Sequence, residues 1–224
     1  MSLTTTTDSQ QQSQAHSIYQ PLIKSVSLFF LLALLMALSA FTIHIDVLHI
    51  QNNVGENSWT ELLQETYLFI ASSLFAMVAI RQPQQRGFAI LVSAFFGVMF
   101  IREMDSVLDQ IVHGFWKYPA WLLASSAIGY AIMHRKTTVE PLMDYMKHNS
   151  FSLMLGAMVT LLVFSRIFGM GSLWQGIMQE HYVRGVKNLA EEGVELLAYS
   201  LILFTAAWYC IPNLKRTASK PSVK

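Results

Sequence analysis

The chain has 224 residues, of which 53% are hydrophobic and only 13% charged, against about 25% charged residues in an ordinary soluble domain. That deficit predicts a membrane protein, and a formal net charge of +1 excludes the basic footprint of a nucleic-acid binder. A single cysteine, Cys210, excludes an internal disulfide framework and any multi-thiolate metal or iron–sulfur site.

In chain order, residues 1–22 are rich in Ser, Thr and Gln, too polar to offset the entropy of ordering, and predict a flexible cytoplasmic tail. The first apolar run, 26–43, follows Lys24 and carries the small residues Ala37, Ser39 and Ala40. It is longer than the apolar core of a typical secretory signal, so an uncleaved first helix is expected. Charge-free runs at 66–80, 87–101, 118–133, 149–165 and 196–213 complete an all-α fold, a polytopic membrane bundle of six transmembrane helices over 23–214. A basic tail, 215–224, ends the chain. Most runs fall short of the roughly 20 residues that cross a 30 Å hydrocarbon core, so each span draws flanking polar residues into the membrane boundary.

Sorting Lys and Arg by loop gives the orientation. Lys24, Arg81, Arg86, Arg135, Lys136, Lys147, Lys215, Arg216, Lys220 and Lys224 fall on one side, and Arg102, Lys117, Arg166, Arg184 and Lys187 on the other. The excess marks the cytoplasmic face and puts both termini inside. The acids reverse the bias, which leaves the outer face acidic. In the loop after the third span, Leu108, Ile111, Val112 and Phe115 oppose Asp105, Asp109 and His113 at helical spacing, which predicts a short amphipathic surface helix anchored by Trp116 and Tyr118. The 169–188 loop, with Leu173, Trp174, Ile177 and Met178, predicts a second.

The second and third spans form a hairpin about Pro83 and Gln84, and Glu65 and Arg102 lie equally far from its centre. Counted from the cytoplasmic charges at 1.5 Å per residue, Glu65, Arg102, Arg166 and Glu195 all stand roughly 24–30 Å up their spans. Two acids and two arginines thus share one layer near the outer boundary, and pairing of Glu65 with Arg102 is expected. Around them lie Glu61, Glu103, Asp105, Glu191 and Glu192. The i,i+4 spacings Glu61 to Glu65 and Glu191 to Glu195 place each pair on one helical face, with Gln64, Tyr67 and Tyr199 as further hydrogen-bonding groups.

Charges at this depth face the interior and are paired or wetted, which leaves three readings. The cluster is a set of Arg–Glu pairs that hold helix register in a scaffold or complex subunit. It is an outward-facing pocket that binds or transports a small ion, a polar solute or a lipid headgroup. Or it is a metal-dependent membrane hydrolase. No cofactor motif is present, but a divalent metal fits the donors available, with His44, Asp46, His49, Asp109, His113 and His181 as the outer candidates. No histidine lies within a span for haem, and no phosphate loop, nucleophile elbow or Cys motif appears. The lipid bilayer is the one partner the composition implies.

The stretches ENSWTELLQE, FIREMD and EEGVEL resemble blocks of small multi-pass bacterial inner-membrane proteins, a resemblance that implies topology and no activity. Glu56, Asn57, Glu61 and Gln64 are more faintly similar to the alkaline ceramidase group of membrane hydrolases. The paired zinc histidines that likeness implies near the last helix are replaced here by Glu191, Glu192 and Glu195.

Overall fold

The computed structural model describes residues 5–50 and 58–215, with side chains from Tyr19 onward. The basic tail beyond Lys215, and Glu56 and Asn57, lie outside the described residues. The fold is all-helical, with no strand among the described residues. The helices are α1 (Thr5–Ile45), α2 (Trp59–Arg81), α3 (Arg86–Glu103), α4 (Lys117–Met133), α5 (Arg135–Met146), α6 (Asn149–Val159), α7 (Gly171–Met178) and α8 (Arg184–Lys215). Five segments are long and apolar enough to cross a membrane: Tyr19–Ile50, Trp59–Arg81, Pro83–Glu103, Asn149–Phe168 and Arg184–Lys215.

The chain divides into two compact units, 1–38 and 39–224. In the first, helix α1 begins at Thr5 and runs through most of the polar stretch expected to be a flexible tail. Gln and Ala propagate a helix readily, and continuity with the apolar run removes the need for separate nucleation. Phe29, Phe30, Leu31 and Leu34 are exposed, as side chains that meet lipid must be.

In the second unit, α2 starts where the orphan amides of its first turn are capped twice. The Ser58 hydroxyl accepts from the Glu61 amide at 3.1 Å, one half of a Ser-x-x-Glu capping box. Asp46, fully buried on a π-helical turn that extends α1, accepts from the amides of Trp59 and Thr60 at 3.1 and 2.7 Å and from the Thr60 hydroxyl at 2.6 Å. Helices α2 and α3 then close as the expected hairpin about a 3-10 turn, Pro83–Gln85. Ser72 donates to the Ser93 carbonyl and Ser93 to the Ser72 carbonyl, each at 2.9 Å. Such reciprocal bonds need close backbones, and the buried Ala71, Ala79, Ala89 and Ala94 permit them, since small residues and hydrogen bonds, not hydrophobicity, hold helices together in lipid.

Phe75, Phe88, Tyr145 and Tyr209 form an aromatic core at the basic end, with ring centroids 4.6–6.1 Å apart. Tyr145 comes from α5, a polar helix where only a loop was expected. Its buried Thr138, Pro141 and Tyr145 stand at i, i+3 and i+7, so the signal was present but interrupted by charge. Gly87 is required beneath it, because a Cβ there would collide with the hydroxyls of Thr137 and Thr138.

The other end departs from expectation in one loop and agrees with it in the next. After α3 the chain makes a single helical turn, Asp105–Leu108, and then irregular turns instead of a surface helix. Asp109 accepts from the Gly114 amide at 2.8 Å, and Gly114 adopts φ of +79°, a conformation that ends helical propagation. Helix α7 does form in the 169–188 loop, with Trp174 donating to the Phe168 carbonyl at 2.6 Å.

Candidate functional site

Helix α6 does not stay α-helical. From Thr160 to Phe164 it widens into a π-helical turn, closed by the Ser165 amide on the Thr160 carbonyl, before one last α-turn, Ser165–Phe168. The inserted residue rotates that last turn by about 100° relative to a regular helix, and with it Ser165 and Arg166. Both turn onto α8. Ser165 donates to Glu195 Oε1 at 3.1 Å and to the Leu161 carbonyl at 2.6 Å, while Arg166 forms a close ion pair with the same carboxylate oxygen. Glu195 is 5% exposed.

Helix α8 carries Lys187, Glu191, Glu195 and Tyr199 at successive i,i+4 positions, one stripe along its length. Lys187 pairs with Glu191. Gly169 makes room there, since a Cβ would strike the Glu191 carboxylate. At the deep end of the stripe Tyr199 donates to Glu103 Oε1, from the end of α3, at 2.7 Å. Glu192, on the adjacent face, receives the Gln64 amide at 3.0 Å, and Gln64 also donates to the Glu192 carbonyl at 3.2 Å. Gln64 is buried on α2. Below, Ser39 bridges Tyr67 and Ser200 at 3.2 and 2.8 Å.

The expected pairing of Glu65 with Arg102 does not occur. Arg102 is 4.0 Å from the neighbouring Glu103, with no ion pair to Glu65 among the described residues. Counting residues from a hairpin centre fixes height along an axis and says nothing of rotation about it. Glu65 instead faces, with Glu61, a cavity of about 440 Å³ between the start of α2 and Ser106 and Val107, and its charged neighbours are Glu61 and Glu103.

Of the nine residues expected in the pocket, Glu61, Glu65, Arg102, Glu103, Arg166, Glu191, Glu192 and Glu195 therefore gather at one end of α2, α3, α6 and α8. Asp105 stands exposed at the rim. Glu103 is the centre of the arrangement, with Glu65, Glu192 and Glu195 all within its electrostatic reach. The cluster has two lobes, the cavity with Glu61 and Glu65 and the buried chain of Gln64, Glu192, Glu195 and Glu103. Ser165 and Lys187 were not anticipated as members. Lys187 was legible as an i,i+4 partner of Glu191, whereas nothing local marks Ser165.

The histidines and outer aspartates are not brought together as a metal set. Asp46 is consumed by the N-terminus of α2. The rings of His44 and His49 are 6.0 Å apart, Asp109 holds the exposed His113 at 2.8 Å, and His181 is exposed on a 3-10 turn. Among the described residues no three His, Cys, Asp or Glu side chains converge as metal ligands. No family model, curated protein or solved structure matches the chain.

Proposed function

We propose that this chain is a six-span inner-membrane protein, both termini cytoplasmic, whose acidic end binds a small cation or a cationic polar solute from the outer side and takes part in its movement. The sixth span is α4. At 17 residues it is about 26 Å long, close to the hydrocarbon thickness, and its exposed Tyr118, Trp121, Leu122 and Ile132 suit an aromatic-anchored lipid face. Reporter fusions at the C-terminus and in the 52–58 loop test this topology, and equal signals at both places refute it.

The observation that carries the functional reading is the imbalance around Glu103. Six glutamates, Glu61, Glu65, Glu103, Glu191, Glu192 and Glu195, share the site with Arg102, Arg166 and Lys187. Arg166 and Lys187 are already committed to Glu195 and Glu191. Glu192 has a neutral amide for its donor, and Glu103 has the Tyr199 phenol with Arg102 at the 4.0 Å limit of an ion pair, so the six acids outnumber the three cations. An excess of carboxylates over cations near a membrane favours an added positive charge. An anionic headgroup has less support, because Arg102 and Arg166 each already face a glutamate. Thermal unfolding in detergent across monovalent and divalent cations and simple amines tests the reading. Wild type should be stabilised by one class of cation, and Glu65→Gln and Glu192→Gln should fold yet lose that response. Equal responses in all three proteins end the proposal.

A further inference from the structure

At the opposite end of α2 and α3 lies a larger groove, about 590 Å³, within the range of small-molecule sites. Helix α4 forms its third wall. It extends from Arg86 to Ala94 on α3 and from Leu123 to Tyr130 on α4, about 10–12 Å at 1.5 Å per residue, against about 15 Å for one leaflet of a 30 Å core. Its walls are apolar in effect. The hydroxyls of Ser72 and Ser93 are spent on each other's backbone, and that of Ser126 on the Leu122 carbonyl.

One charged residue breaks this pattern. Arg86 is half-buried, and its Nε donates to the Ala79 carbonyl at 3.1 Å, which orients the guanidinium. Its terminal nitrogens have no ion pair or hydrogen bond among the described residues, and neither does the Tyr130 hydroxyl at the same end. Tyr130 stacks on His134 at 4.1 Å, and Arg135 and Lys136 follow it in the chain at a separate cavity. A half-buried guanidinium in an apolar groove at the membrane boundary favours an anion, and its planar fork matches phosphate.

The geometry points to a binding site for an anionic phospholipid, one acyl chain lying in the groove between α2, α3 and α4 and the phosphate held by Arg86 with Tyr130 beside it. The inference rests on the membrane reading above but is independent of the acidic end, whose variants leave this groove untouched. Thermal unfolding of the full chain with phosphatidylglycerol, with phosphatidylcholine and with glycerol phosphate alone tests it. Phosphatidylglycerol should raise Tm clearly more than phosphatidylcholine, and glycerol phosphate should have no effect. Arg86→Gln should weaken phosphatidylglycerol binding roughly tenfold or more, the scale of a lost charged hydrogen bond. Ser126→Phe, which fills the groove from an exposed position, should weaken both lipids. An unchanged phosphatidylglycerol preference in Arg86→Gln overturns the site, and a full shift from glycerol phosphate alone overturns the seated acyl chain. Should Arg86→Gln not fold, an undiminished response in Ser126→Phe overturns the proposal by itself.

Discussion

Replacing Arg166 by Gln should be more harmful than replacing the acid it pairs with. Glu195 is 5% exposed and among the described residues receives Arg166 and Ser165 alone, so Arg166→Gln strands a carboxylate on one neutral donor. Breaking a fully buried pair costs about 3–5 kcal/mol. The Arg166 side chain is 46% exposed and partly screened by solvent, which reduces the expectation to about 2–3 kcal/mol. For a chain of this length that corresponds to a fall of roughly 5–10 °C in Tm. Glu195→Gln should cost about 1 kcal/mol, because Gln still accepts from Ser165 and the freed guanidinium finds solvent. The double variant should resemble Glu195→Gln, which gives a coupling energy of about 2–3 kcal/mol in magnitude. Thermal melts of the four proteins in one detergent measure it. Additivity within about 0.5 kcal/mol would show that the two groups do not interact and would refute the pairing of α6 with α8 through them.

Tyr199→Phe should cost about 1.5–3 kcal/mol by removing the donor to Glu103, and a melt alongside Glu103→Gln should show the two losses to be non-additive. Asp46→Ala should cost about 1–2 kcal/mol, the upper range for a helix cap, with faster hydrogen exchange at the amides of Trp59 and Thr60 as its specific mark. Burial pushes the Tyr145 phenol up to about 12, so the unfolded chain releases that proton first as pH rises. Stability should be flat below about pH 10 and fall between there and about 12. Tyr145→Phe should remove that component of the pH dependence, and an unchanged profile would refute the assignment.

Much of the acidic end was legible because height along a helix comes from counting. Gln64 and Tyr199 were recognisable as hydrogen-bonding neighbours of the acids, and the i,i+4 spacings placed Glu191 and Glu195 on one face. Partner choice was not legible, because it depends on rotation about each axis. Arg102, Glu65 and Arg166 stand at matching heights, yet only Arg166 meets its acid, and it does so through a π-turn with no compositional mark in Thr160–Phe164. Asp46 looked like a metal candidate because an acid close to two histidines has ligand chemistry. Its role as a cap becomes visible only when the chain folds back onto the start of α2. The Ser58 and Glu61 spacing was the local sign that a capped helix begins there.

The π-turn in α6 gives that helix a tolerance of length that its residue types do not reveal. Most positions from Thr160 to Phe164 are exposed apolar side chains, interchangeable among themselves where they meet lipid. Deleting one of the exposed residues would let the turn relax to α geometry with Ser165 and Arg166 still facing α8, because the π-turn is one inserted residue and its loss restores the regular spacing. The segment therefore carries a spare residue, and a one-residue deletion there should do far less damage than losing Arg166 itself, whereas winding all five residues into α geometry should swing Arg166 about 100° off α8.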